Sequence, residues 1–263
     1  MKIGFIGGGN MADAILKGIL SAGLVKKEDI VVCDKSEAAL YKYKGIRTSQ
    51  DNQDALSCDY VILAVKPSIL PVVLKELKAS GKNLSKNVFI SIVAGASVAS
   101  ICEGLGENAP VIRVMPNTPA MVTEGMTVIS AKEANVAEEA FSDAVKIFHA
   151  IGKTEILPEN MLNAVIGISG SSPAYVFMMI EAMADAGVRD GLARDVAYRL
   201  AAQSVLGSAK MVMESGKHPA ELKDMVCSPK GTTIEAVAEL ENNGFRSAIM
   251  DAIKKCNDKA NHL

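Results

Sequence analysis

The sequence predicts an α/β domain on a mostly parallel, doubly wound sheet over residues 1–157, followed by an all-α domain over 158–263. Two observations carry this reading. Short β-branched runs alternate with helical stretches in the first part, the rhythm of βαβ units around a sheet covered on both faces. After Pro158 the strand pattern stops and only helical periodicity remains.

In chain order, KIGFI (2–6), DIVVC (29–33), DYVILAV (59–65), NVFISIV (87–93), PVIRVM (110–115), GMTVIS (125–130) and KTEIL (153–157) read as strands. Segments 10–22, 68–79 and 134–150 read as helices between them. GMTVIS and KTEIL are expected as antiparallel edge strands. The second part gives helices at 157–170, 173–187, 193–216, 218–226, 232–244 and 245–260, with Gly or Pro at their ends where caps belong. Alanine and methionine occupy several faces of these helices. A small domain apolar on several faces buries one of them against another copy, so a homodimer is expected.

Composition narrows the function. The chain has 263 residues, 49% hydrophobic and 22% charged, with 28 basic against 30 acidic residues. Neither half is polarised, which argues against nucleic acid or an anionic membrane as partner. Cys33, Cys58, Cys102, Cys227 and Cys256 are odd in number and widely spread, and His149, His218 and His262 form no ligand spacing. No disulfide framework and no metal site are expected, and a reducing cytoplasm suits the thiols. The N-terminus reads as strand and turn rather than as a signal peptide. No segment reaches the ~18 uninterrupted apolar residues of a membrane span.

MKIGFIGGGNMA places Gly7, Gly9 and Ala12 in a G-x-G-x-x-A turn between a strand and a helix. Gly7 permits the tight turn, Gly9 lets the backbone approach a pyrophosphate, and Ala12 lets helix and strand lie close. This is the Rossmann dinucleotide fingerprint in its required context. Asp34 ends the second strand, where a carboxylate accepts the ribose hydroxyls of NAD, while Lys35 and Ser36 suit a 2′-phosphate. NADH and NADPH therefore both remain open. Ala64, Lys66 and Pro67 end the fourth strand on the side that faces the ligand crevice. The Met115–Pro119 loop is similarly placed, and Asn117 there offers a donor and an acceptor.

In the helical half, Ser171 or Ser172 reads as an N-cap with Pro173 in the first turn. Thr232 and Glu235 have capping-box spacing, and Gly231 frees the preceding backbone. Successive N–H groups, the hydroxyls of Ser228, Thr232 and Thr233, and a helix N-terminus form a compact anion site suited to a carboxylate. Lys230 adds charge there or points to water. The helix after Ser171 carries no Lys, Arg or His through Met183. Ketone reduction needs a strong proton donor, whereas an imine can arrive protonated and needs only a hydroxyl partner.

FIGGGNMA, AVKP, RVMPNTPA, SGSSPAY, HPAELKDMVCSPKGTTIEAV and NGFRSAI together resemble the pyrroline-5-carboxylate reductase family, in its order and spacing over nearly the whole chain. The resemblance implies NADPH- or NADH-dependent reduction of 1-pyrroline-5-carboxylate to L-proline, the last step of proline biosynthesis. It implies that Ser228, Gly231, Thr232 and Thr233 hold the substrate carboxylate, with Thr233 reaching the ring nitrogen as the catalytic residue. Gly7, Gly9, Asn10, Met11 and Ala12 match the family's pyrophosphate turn, and Ala64, Lys66 and Pro67 its ribose-facing strand end. Asp34 and Lys35 complete the expected cofactor set. The resemblance also implies dimerisation through the helical half and, in many members, a pentamer of dimers (a decamer). Two positions depart from the family: Lys230 and Ser172 stand where glycine is usual. If position 230 needs positive φ, Lys costs on the order of 1 kcal/mol; if it faces the pocket, it tightens carboxylate binding. The rival readings are a different imine or 2-keto-acid reductase and a non-catalytic dinucleotide sensor.

Overall fold

The computed structural model describes residues 1–106 and 109–261; His262 lies outside them. Two compact units emerge: Met1–Ser171 with the chain from Cys256 onward, and Ser172–Lys255.

The first unit holds strands β1 (Ile3–Ile6), β2 (Ile30–Cys33), β3 (Arg47–Ser49), β4 (Tyr60–Leu63), β5 (Val88–Ser91), β6 (Val111–Met115), β7 (Gly125–Ser130) and β8 (Gly152–Leu157). Helices α1 (Asn10–Ser21), α2 (Glu37–Leu40), α3 (Leu70–Ala79), α4 (Val98–Leu105), α5 (Glu138–His149) and α6 (Leu162–Val165) lie between and after them. The sheet runs β3-β2-β1-β4-β5-β6-β7-β8. Alternation sorts the strand side chains into two cores. Ile3, Phe5, Val32 and Ile62 pack with Ile15 and Ile19 of α1 and Ile147 and Phe148 of α5. Ile6, Val31, Cys33 and Leu63 pack on the other face with Val73 and Leu77 of α3 and Ile101 of α4. Both faces being covered, the central strands read as unbroken apolar runs.

The two late strands differ from expectation in one respect. β7 pairs antiparallel with β6, but β8 pairs parallel with β7. The short link from β6 returns the chain as a hairpin does, whereas α5 provides the crossover that a parallel pair requires.

Beyond β8 the helical run does not stop at Gly170. After α6 the backbone makes a π turn, Ile166–Gly170, and Ser171 N–H reaches the Ile166 carbonyl at 2.7 Å. Ser171, with helical backbone angles (φ −99°, ψ −22°), stands between this turn and α7, and Ser172 is the first residue of α7 rather than its N-cap. Pro173 brings no N–H to the Ser169 carbonyl four residues back; Asn117 Nδ2 donates to it instead at 2.9 Å. The continuous run Glu159–Arg189 is long and apolar enough, by length and composition, to cross a membrane. The sequence conceals it because Gly170 and Pro173 look like helix ends. Its start is tied to the sheet. Buried Arg113 donates to Asn163 Oδ1 at 2.8 Å and to Glu159 Oε1 at 3.4 Å, and the same Glu159 oxygen accepts the Val98 N–H that opens α4.

The second unit contains α7 (Ser172–Arg189), α8 (Arg194–Ser215), α9 (Pro219–Val226) and α10 (Thr232–Asn242), with most of α11 (Phe245–Ala260). Ala184, Ala197 and Ala201 are buried where α7 and α8 meet. Gly187 lets the two helices approach closely, since a Cβ there would lie 3.1 Å from Leu192 and 3.3 Å from Ala197 side-chain atoms. Large apolar side chains remain uncovered, among them Phe177 (62% exposed), Met178, Leu206, Met213 and Met250. So much exposed apolar surface on one helical unit marks an interaction surface.

Candidate functional site

The crevice opens where the strand order reverses, between β1 and β4, outside the carboxyl ends of the strands. It has a volume of about 410 Å³ and is lined by Gly7, Gly9, Asp34, Lys35, Ala64 and Lys66, among others. Gly7 adopts φ +101°, and a Cβ on it would lie 2.5 Å from the Ala64 carbonyl oxygen. Its N–H donates to Cys33 O at 2.8 Å, closing the turn over β2. Gly9 caps α1 with no side-chain hydrogen bond, and nothing lies within 4 Å of where its Cβ would be. That open space beside an uncapped helix N-terminus fits a pyrophosphate. Asn10 begins α1, Met11 faces a neighbouring cavity, and Ala12 is buried in the core beneath. Pro67 starts the turn that leads into α3.

Asp34 is pinned by two backbone donors: Gly8 N–H to Oδ2 at 2.7 Å and Ser36 N–H to Oδ1 at 2.8 Å. Lys35 turns to Glu76 at 2.9 Å. Cys33, just before Asp34, is a packing residue: burial pushes its thiol up to about 12, far from a nucleophile's range.

A second cavity of about 330 Å³ shares the Ala64–Val65 wall with the first. Met11, Met115, Pro116, Ile166, Gly170 and Ser171 also line it. The β6 end thus reaches a cavity, as its position predicts, but Asn117 does not serve as a free polar group. Its Nδ2 donates to Ser169 O, and its Oδ1 accepts the Met126 N–H at 2.8 Å. The π turn at 166–170 was not foreseen; the cluster Gly-Ile-Ser-Gly-Ser-Ser before a proline is the only trace it leaves. Nor were Lys42 and Tyr43, whose Nζ and hydroxyl donate to Gly9 O at 3.2 and 3.4 Å.

In the second unit, Ser228–Gly231 form a bend in which Gly231 N–H donates to Ser228 O at 3.0 Å. Pro229 in second place and Lys230 at φ +57° in third have the features of a type II turn. Glycine suits that third position; Lys230 occupies it at a cost and makes no side-chain hydrogen bond or ion pair among the described residues. Lys230→Gly is accordingly expected to raise the unfolding free energy by about 1 kcal/mol, read as a higher urea midpoint. An unchanged or lower midpoint would show that the Lys230 side chain contributes contacts of its own. Gly231 is closely approached: a Cβ there would meet the Ser228 carbonyl oxygen at 3.0 Å and would make the Ser228 hydroxyl turn away.

Gly231, not Thr232, is the N-cap of α10, and no side chain caps the first turn. The capping box expected of Thr232 and Glu235 does not form, because Thr232 is already helical and its hydroxyl is past the capping position. The bend therefore presents the uncapped N-terminus of an 11-residue helix with the exposed Ser228 and Thr232 and the half-buried Thr233. Partial positive charge and N–H groups gather at such an end. Among the described residues no group of three His, Cys, Asp or Glu side chains gathers to hold a metal ion.

Fold and crevice together define a dinucleotide-binding protein of the doubly wound class. The family "NADP oxidoreductase coenzyme F420-dependent" matches residues 2–95, and "Pyrroline-5-carboxylate reductase dimerisation" matches residues 159–263. The pyrroline-5-carboxylate reductase of Escherichia coli K12 is 48% identical over 100% of this chain and 98% of its own length. That of Arabidopsis thaliana is 41% identical over 96% and 91%. A crystal structure of Plasmodium falciparum pyrroline carboxylate reductase with NADP bound matches with a TM-score of 0.91 at 33% identity, covering 100% and 97% of the two chains. The chain belongs to the pyrroline-5-carboxylate reductase family.

Proposed function

We propose that the chain reduces 1-pyrroline-5-carboxylate to L-proline with NADH or NADPH, the closing step of proline biosynthesis. The observation that carries this reading is the bend at Ser228–Thr233. Its positive-φ residue, closely packed Gly231 and uncapped helix N-terminus form a carboxylate cradle among hydroxyls. Family membership supports the same assignment.

When bound, a reduced nicotinamide would supply a hydride to the carbon of the already protonated C=N bond, whose π pair would pass to nitrogen and leave a neutral amine. The turn of Gly7, Gly9, Asn10 and Met11, with Ala12 buried beneath it so that α1 lies close on β1, would hold its pyrophosphate end; Asp34 and Lys35 would flank a ribose, and Ala64, Lys66 and Pro67 would form the opposite wall. Ser228, Gly231 and Thr232 fix the substrate carboxylate. Thr233 donates to the imine nitrogen, or accepts from its N–H once protonated, and so orients the C=N bond. No strong acid is needed, because the basic imine nitrogen arrives already protonated and ends as a neutral amine. Most of the acceleration then comes from orientation.

The uncovered apolar side chains of α7, α8 and α11 support a homodimer formed through the helical unit; the further assembly of dimers into a decamer rests on the family resemblance alone. The same surface gives the apolar run Glu159–Arg189 a protein partner rather than a bilayer, which fits a cytoplasmic enzyme without a nucleic-acid partner. The test is cofactor oxidation with 1-pyrroline-5-carboxylate beside acyclic 2-keto acids. Oxidation matched by L-proline formation is expected with the cyclic imine alone. Turnover of keto acids instead, or cofactor binding without turnover, would replace the reading with one of its rivals.

A further inference from the structure

The crevice carries more information about its dinucleotide than the fingerprint does. Asp34 follows β2, where an acid meets the adenosine ribose. Its two oxygens are held from two directions by the Gly8 and Ser36 N–H groups. The carboxylate therefore cannot swing aside. Each oxygen still has a lone pair for a ribose hydroxyl. A 2′-phosphate has no comparable proton to offer and brings roughly two negative charges.

The nearby cations are committed elsewhere. Lys35 Nζ sits 2.9 Å from Glu76 Oε1, and the other Glu76 oxygen accepts from Asn52 Nδ2 at 2.9 Å. Asn52 is itself buried, so Glu76 is anchored and draws Lys35 toward α3. Arg47 pairs with Asp54, and Lys42 donates to Gly9 O at the pyrophosphate turn. Lys66 also lines the crevice, but from the end of β4. Ile6 of β1 lies between Cys33 of β2 and Leu63 of β4, which puts those strand ends about 10 Å apart. Asp34, Lys35 and Glu76 together leave this rim with one net negative charge.

We propose that this crevice selects NADH over NADPH, with Asp34 as the discriminating residue and Glu76 as the positioning residue that keeps Lys35 from a 2′-phosphate. The inference rests on the reductase reading above and concerns the same site.

Its test is equilibrium binding without the imine, by nicotinamide fluorescence or calorimetry. Wild-type protein is expected to bind NADH about tenfold or more tighter than NADPH, the scale of a like-charge contact near a protein surface. Adding salt narrows the gap by screening. Asp34→Ser removes most of it, and Glu76→Gln tightens NADPH binding severalfold by releasing Lys35, with NADH affinity little changed. Equal or tighter wild-type binding of NADPH overturns the proposal. So does a ratio that Glu76→Gln leaves unmoved, a variant that keeps an acceptor for Asn52 and so keeps the fold. Because no substrate is present, a protein that binds NADH selectively yet forms no proline sinks the reductase reading and leaves this one standing.

Discussion

Gly7→Ala is expected to damage both the fold of the first unit and its hold on the cofactor. At φ +101° a side chain is strained whatever the space around it. Here the added Cβ would also meet the Ala64 carbonyl oxygen at 2.5 Å and carbon at 2.7 Å. Those atoms cannot yield cheaply: Ala64 N–H donates to Ile6 O at 2.8 Å, within the β1–β4 pairing. The turn must therefore open, at a cost of roughly 1–3 kcal/mol or more. A shift of about 1 Å in the Gly8 and Gly9 backbone would weaken NADH binding on the order of a hundredfold. Gly9→Ala is the informative contrast. Its φ is −74° and its Cβ site is open, so the unfolding midpoint should hold while cofactor affinity falls. Urea melts and fluorescence titrations of both variants check this. A Gly7→Ala protein with wild-type affinity would mean that the turn is not the pyrophosphate site.

Thr233→Val is expected to lower kcat/KM about a hundredfold, the scale of losing one positioned donor at a reacting heteroatom. Valine keeps the shape and removes the hydroxyl. Thr233 makes no side-chain hydrogen bond among the described residues and lies in the first turn of α10, so melting should barely change. Thr233→Ser returns the hydroxyl and should recover most of the activity, which a purely structural role would not predict. If the hydroxyl orients the C=N bond, the loss falls on kcat more than on KM; a loss confined to KM would assign Thr233 to carboxylate binding alone.

The Rossmann half was legible because its signals are local and redundant. The central strands are β-branched and buried on both faces, and the fingerprint joins strand to helix. β3 left no signal: Arg47–Ser49 is three polar residues whose strand character comes only from backbone pairing with Val31–Cys33. The π turn was hidden for a related reason. Gly170 and Pro173 are helix enders by local rules, but Asn117, more than fifty residues earlier, supplies the donor that the proline lacks. At the substrate bend the residue types were readable and the capping was not. Ser228, Gly231 and the two threonines pointed to an anion, while which of them caps α10 depended on the turn that Lys230 completes. Lys35 shows the same limit. Its proximity to Asp34 was visible in sequence, but its engagement with Glu76, forty-one residues on, required the fold.

The most direct measurement is a crystal structure with L-proline and oxidised cofactor bound. Proline's carboxylate is expected at the Ser228–Thr233 bend, accepting from hydroxyl and backbone N–H groups at about 2.7–3.2 Å, with its ring nitrogen on the Thr233 hydroxyl. Ordered proline anywhere else, with that bend contacting only solvent in every protomer, would contradict the assignment of the carboxylate site.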